Sequence, residues 1–434
     1  MSFPLAAARG LLGLVALVAI AYLFSTDKKS IKWKLVGYGV LLQIIFGLLV
    51  LKFGPGRAVF TFAGRIFSRI LTFTQAGSDF IFGPLAIGPG NEGSIGPIFA
   101  TQILPTIVFF ASLMAVLYHY KLIQPVVKGM GWLMAKTLGI SGAEALSAAA
   151  NVFVGQTEAP LVVKPYIEKL TKSELMTLMC GGMATVAGGV LAAYVVFLGG
   201  PDPETQALFA GHLLSASIMS APAAIVMAKI LVPENDTPET LGEMKMAVER
   251  TEINGLEAAA AGAGDGLKLA LNVGAMLLAF LALLAMANWF LAGIGKPLGL
   301  NELVARASGG AFPELSIQSV FGFVFAPLAW LIGVESADIL QFGRLMGEKI
   351  AVNEFVAFTS LGDLKGVVSE RTLIIGTYAL CGFANFSSIA IQIGGIGGIA
   401  PSRRSDIAAL GVKAVIGGAL ASWMTATVAG VLAV

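Results

Sequence analysis

Residues 139–160 read GISGAEALSAAANVFVGQTEAP, and residues 333–358 read GVESADILQFGRLMGEKIAVNEFVAF. The two stretches start alike: Gly139 and Gly333 are each followed by Ala four positions on, an acid five on and Leu seven on. Each then meets a polar patch inside an apolar run, Asn151 to Pro160 in one and Val352 to Phe358 in the other. Downstream, each reaches a Cys-Gly pair, Cys180-Gly181 and Cys381-Gly382. The chain therefore reads as a duplication, each copy built of one helix, one hairpin and two helices. A hairpin returns to the side it left, so each copy crosses a membrane three times. An odd count inverts the second copy relative to the first. Inverted repeats with discontinuous helices that meet at the midplane are the architecture of secondary transporters.

The composition requires a membrane. Of 434 residues, 56% are hydrophobic and only 12% charged, about half the charged fraction of a soluble domain. Apolar runs long enough to span, roughly 20 residues each, fall near 5–24, 33–52, 98–120, 174–199, 206–232, 267–293, 373–399 and 405–433. The stretches 122–168 and 310–360 are long enough to span but polar in their middles, and read as re-entrant hairpins. Residues 57–78 mix Arg57, Arg65 and Arg69 with Phe60, Phe67, Ile70 and Phe73, the pattern of an amphipathic helix at the interface. The expected fold is an all-α membrane protein of eight transmembrane helices, two hairpins and this interfacial helix. Its divisions are an N-terminal scaffold (1–97), a first repeat (98–232), a cytoplasmic loop (233–264) and a second, inverted repeat (265–434).

Lys28, Lys29, Lys32 and Lys34 follow the first apolar run. A signal peptide carries its charges before that run, so this reads as a retained span with a cytoplasmic C-terminal end. Both termini then face the periplasm, although Lys296, Arg306, Lys365 and Arg371 fall on the same outer side. Scattered Lys and Arg give no nucleic-acid patch. With two cysteines and two histidines, neither a disulfide framework nor a zinc cluster is indicated.

The chemistry concentrates at the hairpin tips and after the cysteines. The tips carry Asn151, Gln156, Thr157, Glu158, Asn353 and Glu354. A carboxylate at the bilayer centre costs about 2.5–3.5 kcal/mol on insertion scales, which marks such residues as functional by default. The segments CGGMATVAGG and CGFANFSSIA add Thr185, Asn385, Ser387 and Ser388, with Val190 and Phe383 as apolar walls. Two carboxylates, several amides and several hydroxyls suit a neutral, hydroxyl-rich solute, whereas a phosphate or carboxylate would meet two like charges. Hard cations take oxygen ligands, and Asn151 with the carbonyl of Val154, facing a break at Thr185 and Val186, makes sodium chemically reasonable. A proton carried by Glu158 or Glu354 is the alternative. An enzyme would need a nucleophile with a base, and neither His119 nor His212 has such a partner in sequence reach. A channel has no need of two inverted broken-helix sites.

The run GEKIAVNEFVAF (347–358), with SAAANVFVGQTEAPLVVKP (147–165) and CGFANFSSIA (381–390), resembles the concentrative nucleoside transporters, in particular bacterial sodium-coupled members, along nearly the whole chain. The resemblance implies a homotrimer in the bacterial inner membrane that imports nucleosides such as uridine, cytidine or adenosine by symport, with a mobile part moving against a scaffold. It implies that Gln156, Thr157 and Glu158 meet the nucleobase against Val190. Glu354, Asn385 and Ser388 would hold the ribose, with Phe383 packed on the sugar. Sodium would sit on Asn151, Val154, Thr185 and Val186, Thr185 standing where serine is also familiar.

Overall fold

The computed structural model describes residues 3–88, 92–96, 98–242 and 252–433. Those residues are helical with irregular connections, and no strand occurs among them. In order, α1 (Phe3–Leu23), α2 (Trp33–Leu51) and α3 (Gly54–Phe82) lead to a single turn, α4 (Phe99–Gln102). The first repeat holds α5 (Leu104–His119), α6 (Gln124–Leu138), α7 (Gly142–Ala150), α8 (Lys172–Ala184), α9 (Gly188–Gly199) and α10 (Pro203–Leu231). The second holds α11 (Gly255–Gly295), α12 (Leu300–Ala307), α13 (Ile317–Leu331), α14 (Ile339–Ala351), α15 (Glu354–Asp363), α16 (Glu370–Leu380), α17 (Phe386–Ile399) and α18 (Arg404–Leu432). The copies share one order, a long helix, a helix that opens the hairpin, a short helix with a polar tip, a broken helix and a final long helix; the second adds α12 and has the helix α15 where the first has the tighter helical turns of Ala159–Lys169.

Several boundaries differ from those expected. First, α11 starts at Gly255, so residues 255–264 are helix rather than loop; residues 243–251 of that loop lie outside the described residues. The Asn254 side chain caps this start by accepting from the amides of Leu256 and Glu257. Second, each hairpin stretch opens with a separate helix, α6 or α13. In α6 the buried residues Gln124, Val127, Gly131, Met134 and Leu138 recur at three- and four-residue spacing, which makes one helix face apolar and inward. Third, the apolar runs 174–199 and 373–399 are not continuous helices. They break between Ala184 and Gly188 and between Leu380 and Phe386. Seven helical stretches among the described residues are long and apolar enough to span, the broken α8–α9 included; α16 and α17 are each too short alone. The interfacial segment is longer than expected, 29 residues with a buried face of Gly64, Ser68, Leu71, Thr74 and Ser78.

Small residues let these helices approach, as expected where the solvent is lipid and apolar contact alone gives no net drive. Ala258, Gly262, Gly266 and Ala270 form the buried stripe of α11. A Cβ on Gly266 would stand 2.8 Å from the Ala111 Cβ, and one on Gly262 would stand 2.6 Å from that of Ala115, so α11 lies flush along α5. Much of the rest of α11 is an exposed apolar face that includes Leu271, Leu278 and Trp289. By contrast α10 and α18 are almost wholly enclosed by protein.

The acid shared by the two repeats has one role in both. Glu144 completes a capping box with Ser141 at the start of α7, accepts a hydrogen bond from the Thr177 hydroxyl of α8 at 2.9 Å, and pairs with Lys229 of α10. Asp338 accepts from the backbone N–H of Ser369, the cap of α16, at 3.1 Å. In each copy the hairpin is thereby tied to the broken helix that follows it.

The breaks abut. Gly382 has φ +115°, and a Cβ there would lie 2.6 Å from the Met183 carbonyl oxygen and 2.8 Å from the Ala184 carbonyl carbon. Only glycine meets both demands. Gly382→Ala is expected to destabilise the protein by about 1–3 kcal/mol, the usual cost of a residue held in a sparsely populated conformation. Thermal unfolding in detergent would read this as a lowered Tm, and an unchanged Tm would mean the breaks are not packed this tightly.

Candidate substrate and cation site

Four irregular segments surround one region: the tip after α7, the tip between α14 and α15, and the two breaks. Each owes its shape to local chemistry. Asn353 is extended and caps α15, its Oδ1 accepting from the Val356 N–H at 3.0 Å. Asn385 likewise caps α17, accepting from the Ser388 N–H at 2.9 Å. At the other side of that break, the carbonyls that end α16 receive Lys349, which donates to Ala379 at 2.9 Å and to Cys381 at 3.4 Å. Ser422 of α18 donates to the Cys381 carbonyl as well, at 2.8 Å. Lys349 is thus held by a half-helix C-terminus, where a cation is favoured by both hydrogen bonding and the helix dipole.

Glu354 is the first residue of α15 and is 3% exposed. Its carboxylate accepts from the Tyr194 hydroxyl at 3.1 Å and from the Asn385 Nδ2 at 2.6 Å. The helix N-terminus adds a favourable dipole. Two donors leave lone pairs of the carboxylate free, so a buried acceptor is presented. Tyr194 is fixed by stacking on Phe358 at 4.1 Å between ring centroids and by an edge contact with Phe355 at 5.1 Å. Tyr194 has no signal in the sequence: a tyrosine in the apolar run 188–199 stands out only once the tertiary fold brings it to the carboxylate.

The two repeats are joined across the site by side chains. Gln156 Nε2 donates to the Ser388 hydroxyl at 3.2 Å, Asn385 caps the helix that carries Ser388, and Asn385 holds Glu354. Thr157 rests on α17, where a Cβ on Gly395 would be 2.9 Å from its methyl carbon. Gln156, Thr157, Glu354, Asn385 and Ser388 are therefore brought together. Val190 is buried on α9 one turn before Tyr194, on the same face. Phe383 is half-buried within the second break, its carbonyl accepting from the Asn385 N–H at 2.9 Å. Glu158 takes no part in these bonds: it lies at the end of the first tip, its carboxylate turned toward Gly155.

Asn151 sits at the end of α7, completely buried, and neither atom of its amide has a hydrogen-bond partner among the described residues. An unsatisfied buried amide costs about 1–3 kcal/mol and calls for an explanation such as an ion. Asn151 lies against α8, its Nδ2 3.0 Å from where a Cβ of Gly181 would be. The Gly181 carbonyl accepts from the Thr185 hydroxyl at 2.9 Å, which leaves the oxygen lone pairs of Thr185 available. The break after Thr185 faces the tip that contains Val154, since a Cβ on Gly155 would be 3.3 Å from that of Ala187. The donor set here, an amide oxygen, a hydroxyl and main-chain carbonyls, is hard and uncharged, which fits a monovalent hard cation.

Two bundles whose hairpin tips and helix breaks meet at one site have the architecture of a secondary active transporter. The chain matches the family model of the Na+ dependent nucleoside transporter C-terminus over residues 212–430 and that of the N-terminus over residues 12–85. A nucleoside recognition ("Gate") model matches residues 100–201. It is 46% identical to an uncharacterized transporter, YutK, of Bacillus subtilis (strain 168), over 97% of this chain and 98% of that one. It is also 38% identical to sodium/nucleoside cotransporter 1 of Rattus norvegicus, over 97% of this chain and 63% of that longer one. Among solved structures, CNTnw in an inward-facing substrate-bound state superposes with a TM-score of 0.86 at 41% identity, covering 98% of this chain and 99% of that chain. A CNTnw variant in an outward-facing state gives 0.88 at 40% identity, covering 99% of each. The chain belongs to the Na+-dependent, concentrative nucleoside transporter family, and it is a transporter rather than an enzyme.

Removing the Lys349 ammonium takes its donor from the Ala379 carbonyl at the end of α16, while the Cys381 carbonyl keeps Ser422. Lys349→Met is expected to lower stability by about 1–3 kcal/mol, seen as a lower Tm for the purified protein. An unchanged Tm would show that relieving the buried charge compensates for the lost bonds.

Proposed function

We propose that this protein imports nucleosides across the bacterial inner membrane by sodium symport. The observation that carries this reading is the buried Glu354 carboxylate, oriented by Tyr194 and Asn385 and still able to accept from two vicinal hydroxyls. In this reading Glu354, Asn385 and Ser388 bind the ribose and Phe383 covers the sugar. Gln156, Thr157 and Glu158 face the base against Val190. Sodium takes the oxygens of Asn151 and Thr185 and the carbonyls of Val154 and Val186, and the orphaned Asn151 amide supports that placement.

Sodium binding orders the tip after α7, and that tip carries Gln156, so the ion and the nucleoside favour each other's binding. The unit that moves comprises the hairpins and broken helices. α5, α11 and α3 stand as the scaffold, and the apolar outer face of α11 is the surface on which three copies would assemble. Neighbouring family structures in inward- and outward-facing states support alternating access. In this reading both termini face the periplasm. One sodium ion moving down 100 mV supplies about 2.3 kcal/mol, and a tenfold gradient about 1.4 kcal/mol more. Together they would concentrate a neutral solute on the order of 500-fold.

Radiolabelled uridine uptake into proteoliposomes, with and without an inward sodium gradient at equal pH, tests the reading. Sodium-dependent uptake is expected, with Asn151→Ala shifting the sodium requirement upward. Uptake driven by a proton gradient alone would instead assign coupling to Glu158 or Glu354. Uptake of no nucleoside under either gradient would refute the reading. Glu354→Gln is expected to abolish uptake while the protein remains folded. Tyr194→Phe, which removes one hydrogen bond to the carboxylate, is expected to weaken uridine affinity about tenfold, read by isothermal titration.

A further inference from the structure

Gln392 lies on α17, is completely buried and belongs to none of the roles above. Its Nε2 donates in two directions, to the Met179 carbonyl of α8 at 2.9 Å and to Gln156 Oε1 at 3.1 Å. Its Oε1 is buried without a partner among the described residues. Space for this arrangement comes from Gly182, where a Cβ would lie 2.7 Å from that of Gln156 and 3.1 Å from Gln392 Nε2.

A carboxamide can present either its oxygen or its nitrogen to a neighbour, and the network decides which. Here the decision starts at the backbone. A main-chain carbonyl only accepts, so Met179 fixes the nitrogen of Gln392 toward itself. The same nitrogen has a second proton, which fixes the oxygen of Gln156 toward Gln392. Gln156 must then turn its NH2 toward Ser388, to which it donates at 3.2 Å. The Ser388 oxygen is thereby used as an acceptor, and its own proton is left to be donated. The chain of bonds has one direction from α8 to the site.

We propose that Gln392 is a positioning residue that sets hydrogen-bond polarity at the substrate site. It holds Gln156 so that a remaining N–H, and with it the Ser388 O–H, face the ligand as donors. The solute selected is one that offers acceptors at both places, a carbonyl or unprotonated ring nitrogen of the base and an oxygen of the sugar. Without Gln392, Gln156 rotates freely and its oxygen competes for the Ser388 proton. The inference rests on Gln156 meeting the nucleobase, as proposed above.

A double-mutant cycle read by isothermal titration of uridine at saturating sodium tests it. Gln392→Met keeps the volume and removes both donors. It is expected to weaken uridine binding about tenfold, what one oriented hydrogen bond contributes. In a Gln156→Ala background the same change is expected to move affinity less than twofold, because Gln392 then has nothing to orient. Tenfold losses in both backgrounds would overturn the proposal and make Gln392 a packing residue. Should Gln392→Met fail to fold, Gln392→Glu replaces it. That change sets carboxylate oxygens against two acceptors and is expected to give the same coupling with Gln156. If Gln156→Ala alone leaves uridine affinity unchanged, the base-binding role of Gln156 is wrong and the proposal falls with it. That outcome is distinct from additivity, which overturns the role of Gln392 alone.

Discussion

Backbone amides and carbonyls at membrane depth must be paired inside the protein, since lipid offers them nothing. This protein interrupts its helices at the tip after α7, at Val352–Asn353, at Thr185–Ala187 and at Cys381–Asn385. The rest of the structure follows from satisfying those interruptions. The two breaks pack on each other at Gly382 against Met183 and Ala184. The half-helices that leave them are capped from within: Asn385 and Asn353 at N-termini, Lys349 and Ser422 at the carbonyls of α16. The half-helices pack on α10 and α18, which are themselves almost wholly enclosed by protein.

That constraint also explains why the same residues serve structure and binding. Asn385 uses its oxygen to cap a helix and its nitrogen to hold Glu354. Gln156 uses its oxygen to receive Gln392 and its nitrogen to reach Ser388. Each side chain has one end satisfied by the fold, so the other end arrives already oriented. Asn151 is the exception, with both ends unsatisfied, and it is the residue whose surroundings best fit an ion. A polar group that the fold leaves unpaired in an otherwise satisfied interior is where a ligand has most to contribute.

The duplication extends to the tethers that hold each hairpin to its broken helix. Glu144 reaches α8 through Thr177, while Asp338 reaches the start of α16 through Ser369. The first copy adds a buried cation: Lys229 lies between Glu144 and Glu234, and the Ser173 hydroxyl receives its third proton at 3.0 Å. Breaking a buried pair by removing one partner is generally more costly than never having had it. The second copy uses a different buried cation for its tie, Lys349 of α14, which donates to the carbonyls at the end of α16.

From the sequence alone, the class of fold was readable: long apolar runs, two polar patches within such runs and a repeated Gly…Ala-acid-x-Leu pattern already require paired discontinuous elements in a membrane. Most of the candidate side chains were legible for the same reason, because Glu354, Asn385 or Gln156 is conspicuous where its neighbours are apolar. What the sequence did not reveal was which of them are oriented, and by what. Tyr194 and Gln392 sit in runs that read as ordinary span, and nothing local to Lys349 shows that it holds a helix end. The breaks at Thr185–Ala187 and Cys381–Asn385 were hinted at by glycine and polar residues, yet their contact at Gly382 has no local signature. Hydropathy and spacing report what a residue would avoid. Hydrogen-bond direction depends on which acceptor faces which donor across more than 200 residues of chain, as between Gln392 and Met179, and only tertiary packing decides that.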